Sequence, residues 1–406
     1  MKNIVKKLSF SLITTAILAA PSAFAFDAAT GIKNSLADSK INATFRARYE
    51  AVDQDNLNKD ASALTLKSRV TLNTGAYNGL SLGLEVDNVT ALVDDYNDLT
   101  NSYVGNDSVV ADPTGTDVNQ IFLKYKTGKL TATGGRQRIL HNNQRFVGGV
   151  GWRQNEQTYD GYRFQYAATN ALTLDYSYVY NVNRIFETDS KKAADLSGHF
   201  HFINATYKAS KAHKLSTFAY LLDFETSHAM SSNTYGAIYN GKFGNVFVNA
   251  SAASQSDAGD NAVSYDATYL NAETGAKLGS VTLLAGYELL GSDDGVAAFS
   301  TPFATLHKFQ GFADSFLGTG SSVGVKKGVE DTYITAKTKV SGVALSATYH
   351  DLSSDEGSVD YGSELDLVAA YKIAKGYKLL VKYAAYSADG LGTDTDKLWI
   401  QLSTKF

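Results

Sequence analysis

The 406-residue sequence has no cysteine and only three prolines. Without cysteine there is neither a disulfide framework nor a thiolate metal site, and an oxidising compartment poses no hazard to the chain. Scarce proline suits long paired strands, because each proline gives up a backbone donor that a sheet ladder needs. No sign of charge dominates: 37 Lys and Arg stand against 41 Asp and Glu, a balance that offers nothing for nucleic acid. Beyond the first 25 residues no window approaches 18 consecutive apolar residues. That excludes a helical membrane protein and leaves a soluble protein or a barrel built of strands.

What is present begins with a leader. Lys2, Lys6 and Lys7 precede an apolar run from Leu8 to Ala20, followed by the small-residue site Ala23-Phe24-Ala25. This pattern reads as a secretory signal peptide over residues 1–25, with the mature chain starting at Phe26. Tyr (25) and Phe (20) are abundant, as in all-β chains. A membrane barrel needs strands of about 10 residues that alternate lipid-facing apolar with lumen-facing polar side chains. The stretch from Lys40 to Val52 does so: Ala43, Phe45, Ala47, Tyr49 and Ala51 share one face, and Asn42, Thr44, Arg46, Arg48 and Glu50 the other. The same alternation recurs at 64–73, 80–87, 172–180, 281–289 and 365–371. Around 198–208, 232–242 and 263–276 either face could be outward.

Connections supply a second signal, since up-and-down topology demands that short and long ones alternate. Short turns are expected at 75–79, 127–129, 168–170, 209–213, 242–245, 277–280, 341–342 and 374–376, most with the Gly or Asn that tight hairpins require. The largest connections fall near 90–117, 138–156 and 291–327. The expectation is an all-β, transmembrane, antiparallel up-and-down barrel of about 18 strands, or 16, with long outer loops and short periplasmic turns. It would fill residues 26–406 as one domain, with a short periplasmic segment at its N-terminus. The last strand ends in Phe406, resembling the signal by which assembly machinery recognises outer-membrane barrels.

The segment from Gly134 to Gly161, GGRQRILHNNQRFVGGVGWRQNEQTYDG, places Arg136, Arg138, Arg145 and Arg153 between two strands. Guanidinium groups bind carboxylates and phosphates in a bidentate fork, so such a loop folded into the lumen would attract anions. Strand parity adds Arg46, Arg48, Lys67, Arg69, Lys124 and Arg163, completing a basic, pore-lining stripe. The competing reading pairs these side chains with Glu50, Glu85, Asp87 and Asp175, so that they only hold the barrel together. Strict alternation from Leu130 would also turn Arg136 toward lipid unless Gly134 and Gly135 form a bulge.

A second unusual stretch, STPFATLHKFQGFADSFL from Ser300 to Leu317, opens with a helix-like cap at Thr301 and Pro302. Leu306, Phe309, Ala313, Phe316 and Leu317 then repeat at helical spacing, which predicts a helix packed over the mouth or inside the barrel. These two stretches, with the leader and the strand pattern, resemble the alginate-export-type family of outer-membrane barrels. The resemblance implies a single barrel with an arginine-lined lumen and inward-folding loops.

Other chemistry is thin. Asp94, Asp95, Asn97 and Asp98 could offer hard oxygen ligands, but their spacing matches no EF-hand loop. His199 and His201 share a strand face and could touch a metal, although the histidines form no HExxH pair. No GxSxG elbow or Ser/His/Asp cluster points to a barrel enzyme. The expected function is a passive porin or channel for small polar solutes, anionic and carbohydrate ones included, needing no cofactor or metal. Its expected partners are membrane lipids, lipopolysaccharide and those solutes. Polysaccharide export and an adhesion or structural barrel are the alternatives, and oligomeric state is open.

Overall fold

Period-two alternation forces a strand to bury one face, and a sheet this long escapes exposed edges only by closing on itself. In the computed structural model, which describes residues 22–100 and 107–406 and side chains from residue 29, the chain forms a closed antiparallel barrel of 18 wall strands. Its first half comprises β1 (Lys40–Gln54), β2 (Ala61–Asn73), β3 (Leu80–Asp95), β4 (Gly115–Thr127), β5 (Leu130–Gln137), β6 (Thr158–Ala167), β7 (Leu172–Asn183), β8 (Asp195–Lys208) and β9 (His213–Phe224). Then follow β10 (Ser232–Phe243), β11 (Val246–Asp257), β12 (Asp266–Leu278) and β13 (Val281–Leu290). Two-residue strands β14 (Ser292–Asp293) and β15 (Ala297–Ala298) make a small hairpin off the wall. The wall resumes with β16 (Val329–Val340), β17 (Val343–Ser353), β18 (Asp360–Ala374), β19 (Tyr377–Ala388) and β20 (Thr395–Lys405). β1 closes the barrel by pairing with β20 from Thr44↔Lys405 to Gln54↔Thr395.

One end of the barrel carries tight turns and the other carries loops, in the places the sequence indicates. Ser341 and Gly342, both at positive φ (49° and 87°), connect the paired Val340 and Val343 in a two-residue hairpin. A helix, α1 (Ser22–Ala37), lies at the turn end, where the Gly75 amide donates to the Ser35 carbonyl at 2.9 Å. The leader's basic and apolar runs lie outside the described residues. Phe406 continues the closing pair: its amide donates to the Ala43 carbonyl at 2.9 Å and its ring packs on Phe45 and Tyr377. The connection read as 90–117 is shorter, 96–114, because β3 and β4 extend into it.

The outward face is an apolar band that includes Val70, Leu123, Phe164, Leu174, Ile203, Leu283, Ile334, Leu367 and Ile400, as lipid contact requires. The inward face changes character around the barrel. From β1 to β7 and again from β16 to β20 it is charged and hydrogen-bonded. On β8 and β9 it is aromatic and apolar, with Phe200, Phe202, Phe218, Tyr220, Leu222 and Phe224 all buried, and from β10 to β13 it mixes Ile238 and Tyr269 with Asn240, Ser251, Gln255 and Glu288. This settles the ambiguous face of β8. Phe200 and Phe202 point in, while His199 and His201 share the other face and meet the Tyr178 and Tyr176 hydroxyls at 2.8 and 3.0 Å. Among the described residues no group of three or more His, Cys, Asp or Glu is placed to hold a metal.

Aromatic side chains face inward because the lumen there is filled by the chain itself. The 138–157 and 291–328 connections fold into the barrel, and Phe146 packs on Phe218 (4.7 Å between centroids), Tyr269 (5.1 Å) and Phe299 (6.0 Å). Phe303 packs on Phe200 (5.1 Å) and Phe224 (5.5 Å). Each ring so buried contributes roughly 1.5–3 kcal/mol. The helix expected over 300–317 is absent: the stretch holds only the 3₁₀ turn Leu306–Lys308 and the start of another, Leu317–Gly320. Positive φ at Gln310, Gly311 and Asp314 breaks any helical path. The apolar residues instead take separate seats: Phe303 against β8 and β9, Phe309 against the Arg145 guanidinium, and Phe316 against Tyr361 and Tyr386.

Candidate functional site: the lumen and its constriction

The two inward loops clamp each other. The Gly148 amide donates to the Phe303 carbonyl at 2.8 Å, the Thr305 amide to the Gln144 carbonyl at 3.0 Å, and the Gln157 side chain to the Phe303 carbonyl at 3.1 Å. At the base of the clamp Arg145 is fully buried. Its Nε donates to Glu288 at 2.9 Å, its other nitrogens reach Thr301 and Gln310, and its guanidinium lies 4.7 Å from the Phe309 ring centroid.

The basic stripe is present but, Lys124 apart, its side chains are spoken for. Arg69 forks onto Asp87 with two bonds of 2.6 Å and reaches Glu156 at 3.0 Å and Glu85 at 3.4 Å. Arg138 meets Glu85 at 2.6 Å and Glu156 at 2.5 Å, and Lys67 meets Asp87 at 3.0 Å. Arg153 forks onto Glu50 at 3.0 and 3.1 Å, and Arg163 onto Asp175 at 2.6 and 3.0 Å. The partners include the four carboxylates the sequence offered, joined by Glu156, Asp112, Asp160, Glu288 and Asp314. Arg46 binds Gln154 at 2.8 Å and the carbonyls of Gly151 and Arg153, while Arg48 binds Gln401 and the Trp152 carbonyl and lies 3.6 Å from Asp112. Lys124 faces in, exposed near the turn end, with no carboxylate in salt-bridge range among the described residues. Glu156, on the inward loop, is held well below the usual carboxylate range: burial pushes it up, and Lys67, Arg69 and Arg138 more than offset that.

Arg136 is a correction. It pairs across the ladder with Ile121 on one side and Asp160 on the other, so it lies on the outward face with Tyr162 and Tyr180. No bulge at Gly134 or Gly135 intervenes. Its guanidinium takes Asp160 at 2.8 and 3.1 Å, which neutralises a charge that would otherwise face lipid.

The 303–316 segment divides the lumen. Below it, toward the turn end, is a cavity of about 600 Å³ reached by Lys308, Phe309, Gln310 and Phe312. Above it, toward the loops, is one of about 410 Å³ bounded by Leu306, His307, Asp314, Arg153 and Lys397. Between them sits a cluster that sequence reasoning missed. His307 stacks on Trp152 at 4.6 Å, and Trp152 meets Trp399 edge-on. Lys382 Nζ lies 2.8 Å from His307 Nε2 and over the rings of Phe312 (3.1 Å) and Trp152 (4.1 Å). Burial, opposed by Asp314 and reinforced by Lys382, pushes the His307 imidazole well below its usual value. The neutral ring then donates from Nδ1 to Asp314 at 2.8 Å and accepts at Nε2 from Lys382. Lys397 (3.1 Å) and Arg153 (3.5 Å) complete the shell of Asp314. Strand parity alone could have placed Lys382 and Lys397 in the lumen; nothing local announces that His307 would join them.

Two tests follow from this geometry. Gly311 has φ +85°, and a Cβ there would overlap the Glu364 carboxylate. Gly311→Ala should therefore cost about 1–2 kcal/mol for the left-handed backbone alone, and more for the overlap. Gly318→Ala, where φ is ordinary and Val325 is 3.4 Å away, should be close to neutral. Thermal unfolding of the two variants checks this, and equal losses would refute it. His141, in the inward loop, is buried beside Tyr220 and 4.0 Å from Asp175. Burial lowers its pKa from 6.5 to about 4, with Asp175 opposing and Arg163 assisting. A folded pKa below the unfolded one means that the unfolded chain takes the proton first. Stability should therefore fall as pH drops from about 6.5 to about 4, by on the order of 3 kcal/mol. His141→Asn should flatten the melting temperature over that window, and an unchanged slope would sink the assignment.

A family model described as alginate export matches residues 34–276 of this chain. Solved structures with a similar fold include Pseudomonas aeruginosa OccK9 (OpdG), at TM-score 0.70 and 17% identity, covering 92% of this chain and 99% of that one. Acinetobacter baumannii OccAB4 superposes with TM-score 0.69 at 14% identity, over 92% of this chain and 100% of that one. Pseudomonas aeruginosa OccK1 (OpdK) gives TM-score 0.69 at 13% identity, over 91% and 99%. Identities this low carry the fold alone. No curated protein sequence matches.

Proposed function

The chain belongs to the alginate export family, and on that premise we propose that it is an outer-membrane channel through which small polar solutes, anionic and carbohydrate ones included, diffuse passively. The observation that carries this reading is the pair of cavities, about 600 and 410 Å³, on either side of one loop-built constriction inside a closed barrel. Barrels of 16–18 strands leave an aqueous lumen unless loops fill it, and here they narrow it to solute size. Lys124, Lys214 and Lys337 on the inner wall near the turn end supply positive charge to that mouth.

In this reading residues 1–25 are removed on export, residues 26–406 form the single barrel domain, and the tight turns are periplasmic. Lipids and lipopolysaccharide cover the apolar band, and the last strand is read by the assembly machinery. Inward carboxylates at Glu288, Asp331, Glu364 and Asp366 argue against a lumen tuned for a polyanionic polysaccharide. The test is conductance of the purified protein in a planar bilayer, with liposome swelling by neutral, anionic and cationic sugars. Stable open channels are expected, and silence in both assays would overturn the reading. Labels at Asn78 and Gly342 should be shielded in intact cells, while labels at Asp95 and Gly318 should react with an impermeant probe. The reverse pattern would invert the orientation.

A further inference from the structure

Four carboxylates line the larger cavity: Glu273, Glu288, Asp331 and Asp366. Three have strong donors. Glu288 is met by Arg145 and Tyr269 at 2.9 and 2.7 Å, Asp331 by His350 Nδ1 at 2.9 and 3.0 Å, and Glu273 by Asn249 and Tyr333 at 2.5 and 3.2 Å. Asp366 stands apart. It is 2% exposed, Oδ1 receives the Phe312 amide at 3.4 Å, and Oδ2 receives no N–H or hydroxyl among the described residues, the side chain having the neighbouring Glu364 carboxyl as its partner instead. The cation nearest to Oδ2 is His350 Nε2, at 3.7 Å. Two residues along the same inward face of β18, Glu364 is fully buried. Its Oε1 accepts the Ala313 amide at 2.7 Å, and the partner left to the rest of the group is the Asp366 carboxyl.

We propose that this cavity is a binding station for the ammonium or guanidinium group of a passing solute, with Asp366 as the receiving carboxylate. Two buried carboxyls held against each other without a cation between them cost free energy that an arriving N–H group recovers. The protein's own amine at this level, Lys382, attracts Asp366 through space, but its hydrogen bond goes to His307 and it lies over the Phe312 and Trp152 rings. Phe309 and Phe312 line the same cavity, with Arg145 already against the Phe309 ring and Lys382 against the Phe312 ring, so they form the apolar wall of the station. Lys308 and Lys337, also on the cavity wall, give a carboxylate on the same solute somewhere to rest. The station thus favours solutes bearing both charges over simple anions. It rests on the channel reading only for how the solute arrives.

The test separates the two ideas. Arginine amide is titrated calorimetrically into the folded full-length protein in detergent, and is added to open channels in a bilayer. Saturable binding is expected, with Asp366→Asn weakening it by at least about tenfold. Glu364→Gln should weaken it less, and Glu225→Gln, on an exposed loop, should not change it. If Asp366→Asn is unstable, Glu364→Gln and competition between arginine amide and ammonium still report on the site. Open channels that neither bind nor are blocked by arginine amide would overturn the station and leave the channel standing. Binding lost in Asp366→Asn from a protein that never conducts would keep the station and overturn the channel. Equal binding by parent and Asp366→Asn would place the site elsewhere and refute the proposal.

Discussion

Arg145→Ala should lower the unfolding free energy by about 3–5 kcal/mol and raise single-channel conductance several-fold, because it strands a buried carboxylate and unlocks both inward loops. Arg145 is completely buried and its Glu288 partner is 3% exposed on β13, so the substitution leaves that carboxylate without its charged donor at a nearly closed position. The same guanidinium ties Thr301 and Gln310, hence the 303–316 segment that separates the two cavities. A loop freed at this point widens the path before the wall itself yields. The second variant, Arg145→Ala with Glu288→Gln, removes the orphaned charge and should recover part of the stability while the channel stays wide. Melting temperature and bilayer conductance read the two effects separately. A destabilised but equally narrow channel would show that the clamp between Gly148, Thr305 and their partners holds the constriction unaided.

Arg69→Gln should move permeation from anions toward cations more than any other single substitution in the early wall. Arg69 touches three carboxylates, Asp87, Glu156 and Glu85. Without it, Lys67 and Arg138 alone face that acidic trio, and the local balance turns negative where the wall borders water. Lys124→Gln removes a charge with no carboxylate in salt-bridge range and should change selectivity modestly at little cost in stability. Arg69→Gln with Glu156→Gln restores the balance and should return the reversal potential in a salt gradient toward the parent value. An unchanged reversal potential in a correctly folded Arg69→Gln barrel would mean that permeating ions do not sample this wall.

The barrel was legible because its signals are local: a two-residue period, alternating connection lengths and turn residues. A barrel of about 18 strands, with 16 left open, and the inward placement of Arg46, Arg48, Lys67 and Arg69 follow from those alone. The face of β8 was not legible. Phe200 and Phe202 look as lipid-facing as His199 and His201 until the inward loops are known to supply an apolar interior. Arg136 was misplaced for a related reason, since a guanidinium on the outer face is credible only once Asp160 stands beside it. The stretch from Ser300 to Leu317 reads as an apolar helix packed over the mouth or inside the barrel, and it is neither helical nor confined to the mouth. Its helical spacing was an accident of three separate seats, and positive φ at Gln310, Gly311 and Asp314 leaves no trace in hydrophobic periodicity. Whether the arginines select or merely brace depended on the distances to Glu50, Glu85, Asp87 and Asp175, which no spacing rule contains.

The apolar interior built from loops also constrains the order in which the protein can be made. Phe146 meets Phe299, Arg145 meets Glu288, and Arg48 meets Gln401, partners separated by 143 positions for the second pair and 353 for the third. Half a sheet therefore has nothing to fold around: its aromatic rows would face water until both loops and the final strand arrive. Contacts this remote in sequence make the closing step slow and leave greasy intermediates exposed. A chaperone that shields the inner rows of β8 to β12 until β20 meets β1 would speed maturation of this barrel more than that of a porin whose lumen is wholly polar.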